Sequence, residues 1–170
     1  MTSMDFTLIH PNDDLSAIVQ VLQISHETVA KEFGFTIETN PTNNAFIEAS
    51  TLKNQLNNGI ELYALSLNSQ LIGCIAIEKS KRASDTFYIE KVSVIPEQRN
   101  HGIGVQLMDF AVEKIKEAGG KNASIALIDS NTNLKNWYSS QGFIETGTQD
   151  FEQLPFRVCF MNKQLYKFSI

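Results

Sequence analysis

The chain has 170 residues, 42% of them hydrophobic, and a formal net charge of -5. This length suits one domain and is short for two, so we expect residues 1–170 to form a single domain around a sizeable core. The acidic balance argues against a nucleic-acid partner, since nucleic-acid-binding surfaces usually carry a basic excess. The N-terminus lacks a signal-peptide pattern and no apolar run approaches the roughly 18 residues of a membrane span, so we expect a cytoplasmic protein without a membrane partner.

Local patterns in the first half of the chain predict a strand, helical segments and a hairpin. These elements are a strand over 6–10, one or two helices over 11–33, a helix over 45–59 and a hairpin over 60–80. The helix over 45–59 ends at Asn-Gly, because glycine tolerates the left-handed conformation that follows a helix. In the hairpin, two apolar runs flank the polar turn Asn68, Ser69 and Gln70.

The second half predicts a strand–helix–strand unit, a short helix and two final strands. These elements are a strand over 85–95, a helix over 102–118, a strand over 122–129, a helix over 131–141, and strands over 143–149 and 156–166. A strand–helix–strand unit implies parallel pairing, whereas the hairpin and the final strand pair imply antiparallel neighbours. We therefore predict an α/β fold with a mixed, mostly antiparallel central sheet and helices on both faces.

The two cysteines, Cys74 and Cys159, both lie in apolar runs. The chain has no Cys-x-x-Cys or Cys/His spacing of the kind that binds zinc. We expect two buried, reduced thiols and no metal site.

The stretch "PEQRNHGIG", residues 96–104, connects a predicted strand to a predicted helix. The first backbone N–H groups of a helix have no intrahelical partner, and the helix dipole is positive there, so such a turn can bind an anion. Gly102 and Gly104 remove side chains and let a phosphate approach the backbone. On the glycines alone, a plain strand-to-helix turn remains an alternative. The stretch lacks both the Gly-Lys-Ser/Thr of a nucleotide P-loop and the third glycine of a dinucleotide fold.

The longer segment "VSVIPEQRNHGIGVQLMDFA" resembles the signature of the GNAT superfamily of N-acetyltransferases, a Gln/Arg-x-x-Gly-x-Gly/Ala loop. Arg99, Gly102 and Gly104 match it. The stretch "NTNLKNWYSSQGF" is similar to a second family signature, whose residues are matched here by Asn131, Tyr138, Gly142 and Phe143. The resemblance covers nearly the whole chain, and it implies a single N-acetyltransferase domain over residues 1–170.

The resemblance implies acetyl-CoA as a cosubstrate and no metal. Backbone amides of the glycine turn would hold the pyrophosphate; the residues concerned are Arg99, Asn100, Gly102, Ile103, Gly104 and Val105. The long strand before the turn would carry a bulge and splay from the next parallel strand, so that the pantetheine arm pairs with the backbone from Val92 to Val94. An N–H near Val94 would bind the acetyl carbonyl, where an oxyanion forms. Asn131 would contact the pantetheine from the other side.

The sequence departs from the family pattern at two positions. Asn100 stands where the family often has Gly, and Leu134 replaces a frequent small residue. Both positions vary in the family, so the resemblance is only slightly weakened.

Acetyl transfer to an amine requires removal of a proton from the ammonium and delivery of a proton to the departing thiolate. By resemblance, Tyr138 lies near the CoA sulfur and is the candidate acid. The alternative for Tyr138 is a packing role beside Trp137.

The strand "FYIEKVSV" supplies the candidate base. Strand alternation predicts one face made of Tyr88, Glu90, Val92 and Val94. Glu90 is the carboxylate of that set and could act through a water. The alternatives are a structural hydrogen bond or salt bridge for Glu90, Tyr88 as the base, or ordered water without a dedicated base.

The sequence therefore predicts an acetyl-CoA-dependent N-acetyltransferase that transfers an acetyl group directly, in a ternary complex, to a primary amine of a small molecule or peptide. The alternatives are a non-catalytic acyl-CoA-binding module of the same fold and an adaptor domain without a ligand. By resemblance, the acceptor site would involve residues 25–60 and 147–157, which are rich in aromatic and acidic side chains. Relatives are often dimers, which leaves open a homodimer through the C-terminal strands. His10 and His26 are given no role.

Overall fold

A computed structural model describes residues 3–165, which include one seven-stranded sheet. The elements are β1 (Met4–Ile9), α1 (Ser16–Glu32), α2 (Ala49–Asn57), β2 (Glu61–Leu67), β3 (Gln70–Lys79), β4 (Thr86–Val94), α3 (Ile103–Glu117), β5 (Asn122–Ile128), α4 (Thr132–Ser140), β6 (Ile144–Asp150) and β7 (Arg157–Gln164). The strand order is β1-β2-β3-β4-β5-β7-β6. Only β4 and β5 pair in parallel in this sheet. No helix within residues 3–165 is long and apolar enough to cross a membrane.

Helices cover both faces of the sheet, each with its own hydrophobic core. On one face, Leu107 and Ile115 of α3 pack with Ile75 of β3. On the other face, Leu22 of α1 and Leu52 of α2 are fully buried in a separate core. Burying a leucine of this kind stabilises the fold by roughly 1.5–3 kcal/mol. The predicted fold class is confirmed.

Several predicted elements differ from the structure at their boundaries. The helix predicted over 45–59 is a short 3-10 helix, Asn44–Phe46, followed by α2, because the intervening Ile47 and Glu48 are extended. The helical region over 11–33 is one continuous helix, α1. In the predicted last strand, Tyr166 lies outside the described residues. Cys74 and Cys159 are both free and buried, as predicted.

The β2–β3 hairpin turns on two residues instead of three. Asn68 and Ser69 both have a positive φ, 49° and 68°, and Leu67 pairs with Gln70. Two consecutive left-handed residues define the turn whose twist matches that of antiparallel strands. Gln70 therefore belongs to β3.

Strand β4 carries a bulge near its C-terminal end, as predicted. Cys74 of β3 pairs with Ser93 and Ala76 pairs with Glu90, so β4 advances three residues while β3 advances two. Lys91, inside the extra step, has a left-handed φ of 55°. A bulge of this kind bends a strand and re-aims its side chains.

The bulge corrects one prediction about β4. Val92 and Val94 pack, with Phe87 and Ile89, into the core beneath α3. Glu90 lies on the opposite face, towards α1, because it alternates with Ile89. The predicted common face of Glu90 and the two valines is therefore wrong. The extra residue reverses the alternation that simple period-two counting assumes.

Strands β4 and β5 pair only at their N-terminal ends. The pairs are Thr86 with Asn122, Phe87 with Ala123 and Tyr88 with Ser124. Beyond Tyr88 the two strands part, which confirms the predicted splay. The remaining length of β4 has β3 as its neighbour on one side and a cleft on the other.

Candidate active site

The wedge between β4 and β5 holds a cleft of about 690 Å³. A smaller cavity of about 370 Å³ lies beside the start of α3. Both cavities are lined by Ser25, Val92, Leu134 and Trp137, so they adjoin. The Ser25 Oγ is buried and has no hydrogen-bond partner among residues 3–165. Together the two cavities form a path from the glycine turn to the middle of the sheet.

At one end of this path, the start of α3 presents free backbone donors. The helix follows Gly102, which has φ 75° and supplies no side-chain cap. The first helical N–H with an acceptor is that of Gln106, bonded to Gly102 O at 3.3 Å. Within residues 3–165, the preceding N–H groups of Ile103, Gly104 and Val105 have no hydrogen-bond acceptor. Such donors and the positive end of the helix dipole favour an anion.

The two glycines of the turn serve different purposes. A Cβ built on Gly102 would meet nothing within 4 Å, and its left-handed φ favours glycine. A Cβ on Gly104 would lie 3.0 Å from Cζ2 of Trp137. The sequence predicted that both glycines make room for an anion. In the structure, Gly104 makes room for the indole ring.

Arg99 holds the turn against the rest of the molecule. Its Nε donates to Val94 O at 3.2 Å, and its two terminal nitrogens donate to Thr28 Oγ1 and Ser25 O. Its backbone N–H donates to Pro96 O at 3.3 Å. Arg99 therefore differs from the prediction, because its amide is not a free donor. It ties the end of β4 to α1.

A buried network fixes the bulge of β4. Ser93 Oγ donates to Lys91 O at 2.9 Å, and His26 Nε2 lies 3.0 Å from Ser93 Oγ. Because the hydroxyl proton goes to Lys91 O, the Nε2–H of His26 is the donor in the second bond. Cys74 Sγ also donates to Lys91 O, at 3.6 Å. The Lys91 carbonyl thus accepts from Ser93 of β4 and Cys74 of β3, and His26 of α1 reaches it through Ser93.

His26 is a residue that the sequence reasoning missed. Burial, followed by the nearby cations of Lys91 and Arg99, lowers the pKa of His26 to about 4. The ring is therefore neutral at neutral pH. The available signal was the helical spacing, since His26 follows the buried Leu22 by four residues and so lies on the buried face of α1.

Charged side chains gather where the bulge meets the cleft. Burial, and then the neighbouring carboxyl group of Glu78, raises the pKa of Glu90 to about 7. The Lys91 Nζ donates to Asn44 Oδ1 at 2.8 Å. Burial lowers the pKa of Lys91. Tyr88 also lines the cleft, and its hydroxyl lies 3.3 Å from Ser80 Oγ.

Helix α4 brings Tyr138 to the opposite wall of the cleft. Its ring packs edge-on against Trp137 and Phe143, with centroid distances of 5.1 and 5.8 Å. Burial raises the pKa of Tyr138 to about 12, so the phenol keeps its proton at neutral pH. Asn131 caps the same helix, accepting a hydrogen bond from Leu134 N at 3.2 Å. The cap uses its Oδ1, and Asn131 also lines the cleft.

A family model described as an acetyltransferase (GNAT) domain matches residues 25–165. The chain belongs to the GNAT acetyltransferase family. It is 25% identical, over 134 residues, to an uncharacterized N-acetyltransferase in the pepI 3′ region of Lactobacillus delbrueckii subsp. lactis, covering 72% of this chain and 76% of that protein.

Solved GNAT structures share the fold. The PaiA N-acetyltransferase of Thermoplasma acidophilum, solved in complex with coenzyme A, has a TM-score of 0.74 and 18% identity, covering 95% of this chain and 99% of that one. The ribosomal-protein-S18-alanine N-acetyltransferase of Escherichia coli has a TM-score of 0.74 and 14% identity, covering 98% and 97%. At these identities the likeness shows the fold alone.

The two segments predicted for a GNAT acceptor site meet in the structure. Phe35, in the loop after α1, contacts Phe156, in the loop before β7, with ring centroids 5.2 Å apart. A cavity of about 490 Å³ borders Phe35 and is also lined by Glu27 and Glu38. Aromatic and acidic groups of the two segments therefore lie together.

One acidic cluster lies away from this cleft. Ligand atoms of Asp129, Glu145 and Cys159 lie within 4.8 Å of one another. The Lys135 Nζ lies 2.5 Å from Asp129 Oδ1 and 3.3 Å from Glu145 Oε1. The lysine ammonium supplies the positive charge in this cluster, which is an ion-pair network joining α4 to β6.

Proposed function

We propose that this GNAT protein is an acetyl-CoA-dependent N-acetyltransferase that acetylates a primary amine of a small molecule or peptide by direct transfer in a ternary complex. One observation carries the proposal. A continuous path joins the free amides of α3 to Glu90 and Tyr138 along the unpaired edge of β4. Family membership and a related structure solved with coenzyme A support the choice of cosubstrate.

The residues present fit coenzyme A. The free N–H groups of Ile103, Gly104 and Val105 suit a pyrophosphate, and the orphaned Ser25 Oγ offers a further polar contact. The pantetheine arm would lie along the edge of β4 from Val92 to Val94. Its polar amides would then satisfy backbone groups that β5 leaves without a ladder partner.

The backbone of β4 also suits the acetyl carbonyl. The Ile95 N–H donates to Ile72 O on β3 at 2.9 Å. Because successive N–H groups of a strand point to opposite sides, the N–H of Val94 points away from β3 and towards the cleft. A fixed donor there would stabilise the negative charge that develops on the carbonyl oxygen.

Proton transfers are assigned to two side chains on opposite walls. Glu90, with a pKa of about 7, is poised to accept a proton from the acceptor ammonium near neutral pH. Tyr138, protonated because of its raised pKa, is the donor for the departing thiolate. Asn131 would hold the pantetheine from the α4 side.

The acceptor that best suits the side chains of these two segments is a cationic amine with an apolar body. Phe35 and Phe156 would contact the apolar part, and Glu38 would attract the positive charge. Glu27 lines the same cavity but is paired with Lys31 at 2.8 Å. These residues lie in the two segments where family resemblance predicts the acceptor site.

The test combines binding with turnover. Acetyl-CoA at 100 times its dissociation constant should stabilise the protein by about 2.7 kcal/mol, measured by thermal shift. A panel of amines, with thiol release and mass detection of the products, should then identify acetylated acceptors. Binding without turnover for any amine would favour a non-catalytic acyl-CoA-binding module, and absence of binding would overturn both functions.

A further inference from the structure

We propose that Glu78 is a positioning residue that forms a carboxyl pair with Glu90, and that this pair takes up the proton lost by the acceptor ammonium and holds it between the two side chains. The inference rests on the proposed function, in which Glu90 is the base. It adds a second carboxyl group, from a neighbouring strand, that sequence reasoning did not select.

The register of β3 and β4 places the two glutamates together. Ala76 pairs with Glu90, and Glu78 pairs with Tyr88, so Glu78 and Glu90 are diagonal neighbours on one face of the sheet. Long side chains at diagonal positions can reach each other. Both residues line the large cleft, and the Glu78 carboxyl group is near enough to contribute to the raised pKa of Glu90.

A hydrogen bond between two carboxyl groups requires one proton. An ionised carboxylate is only an acceptor, whereas a protonated carboxyl group has an O–H to donate. Two ionised carboxylates in contact repel each other, so the pair holds its first proton more tightly than a lone glutamate does. Near neutral pH, close to the pKa of Glu90, the pair is therefore present both with one shared proton and with both carboxyl groups ionised.

The charges around the pair support the same conclusion. The titratable side chains that face the cleft, from α1, β3, β4 and α4, are His26, Glu78, Tyr88, Glu90, Lys91 and Tyr138. His26 is neutral and Tyr138 is protonated at neutral pH. Lys91 is the cation of this set. With both carboxyl groups ionised the set carries one net negative charge, and with one shared proton it is neutral.

A cationic amine converts one of these states into the other without leaving a net charge. The bound ammonium balances the doubly ionised pair and Lys91. One of its N–H bonds then breaks, and an O–H bond forms on Glu90. The new O–H group donates a hydrogen bond to the carboxylate of Glu78. The nitrogen keeps its lone pair for attack, and the set together with the amine carries no net charge before or after the transfer. A neutral or anionic acceptor would gain nothing from the pair.

The test compares pH profiles of kcat/KM for the wild type and three variants, using an amine found by the panel. Glu78→Gln keeps the size of the side chain and removes its charge. We expect the acidic limb of the kcat/KM profile of this variant to move to lower pH by about one unit, because a like charge no longer raises the pKa of Glu90. The plateau of kcat/KM should also fall, because the base is weaker. Glu90→Gln should lose the limb. Glu113→Gln, which removes an exposed charge on α3 paired with Lys116, should match the wild type.

A second measurement does not depend on turnover. In protein labelled with carbon-13 at glutamate Cδ, NMR titration should show Glu90 titrating near pH 7, and Glu78→Gln should lower that midpoint. An unchanged Glu90 midpoint in folded Glu78→Gln would overturn the carboxyl pair even if the wild type is active. If the midpoint moves but the wild type acetylates no amine, the pair exists and its role in proton transfer is overturned with the proposed function.

Discussion

The two ends of the cleft are built in different ways. At the glycine turn, the groups that face the cavity are backbone N–H donors of consecutive residues, Ile103 to Val105. At the bulge, they are side chains from three separate elements: His26 of α1, Glu78 of β3 and Glu90 of β4. The first end depends on a local turn conformation, whereas the second depends on strand register. Substitutions should therefore affect binding at one end and proton transfer at the other.

A large effect is expected for Tyr138→Phe, which removes one oxygen and keeps the packed ring. The phenol would donate to a charge that develops in the transition state, so we expect kcat to fall roughly 10–10³-fold with acetyl-CoA affinity nearly unchanged. Single-turnover kinetics and a binding titration measure the two quantities separately. A fall in affinity at constant kcat would make Tyr138 a cosubstrate contact, and full activity would mean that solvent protonates the thiolate.

At the bulge, Glu90→Gln removes the proposed base and keeps the shape of the side chain. We expect a rate loss of about 10²-fold or more, together with loss of the acidic limb of the pH–rate profile near pH 7. Acetyl-CoA affinity should be preserved, because Glu90 lies on the α1 side of the sheet. A profile unchanged in height and shape would leave Tyr88 or ordered water as the base.

At the glycine turn, Val105→Glu places a negative charge in the first turn of α3. Val105 is 36% exposed, so the change should be tolerated, and an acidic residue there interacts favourably with the helix dipole, by roughly 0.3–1 kcal/mol. The same charge repels a pyrophosphate, so acetyl-CoA affinity should fall at least tenfold, or about 1.4 kcal/mol. Val105→Gln is the matched neutral control. Equal affinities for the two variants at low salt would contradict pyrophosphate binding at this helix start.

The smallest effect concerns the pH dependence of folding. The pKa of His26 is lowered to about 4, so the unfolded chain binds a proton more readily than the folded protein. This costs stability as the pH falls from about 6.5 towards 4, and amounts to about 1 kcal/mol between pH 7 and 5.5. His26→Asn should remove that loss, as measured by urea denaturation at both pH values.

The His26 measurement needs a defined background, because Glu90 acts in the opposite direction. Its raised pKa favours the folded state at low pH, and that contribution is lost as the pH rises through about 7. The opposing titration is removed by comparing the pH dependence of unfolding of Glu90→Gln with that of the double variant His26→Asn/Glu90→Gln. An equal pH dependence in the two proteins would show that His26 does not titrate as its burial requires.

The fold could be predicted better than the site, because the fold follows from local sequence patterns and the site depends on contacts between residues distant in the sequence. Hydrophobic periodicity and turn residues are local, so the element order and the strand-to-helix turn at Gly102, with its free backbone donors, could be predicted. The role of Gly104 could not, because Trp137 comes from a distant helix. The pairing of Glu78 with Glu90 depends on a register shifted by a bulge, and no local pattern specifies where the bulge falls. His26 contacts Ser93 across 67 residues of sequence.

The short parallel contact between β4 and β5 has a mechanical consequence. Three residue pairs join β1–β4 to β5–β7 within the sheet, and all three lie at the closed end of the wedge. A rotation of a few degrees about that seam would change the gap little beside Tyr88 and much more beside Val94. Strands β1–β4 and strands β5–β7 would thus rotate relative to each other about a hinge next to the carboxyl pair. Such a rotation would change the width of the cleft near the glycine turn, where a long cosubstrate would bind. The groups proposed for proton transfer would keep their spacing.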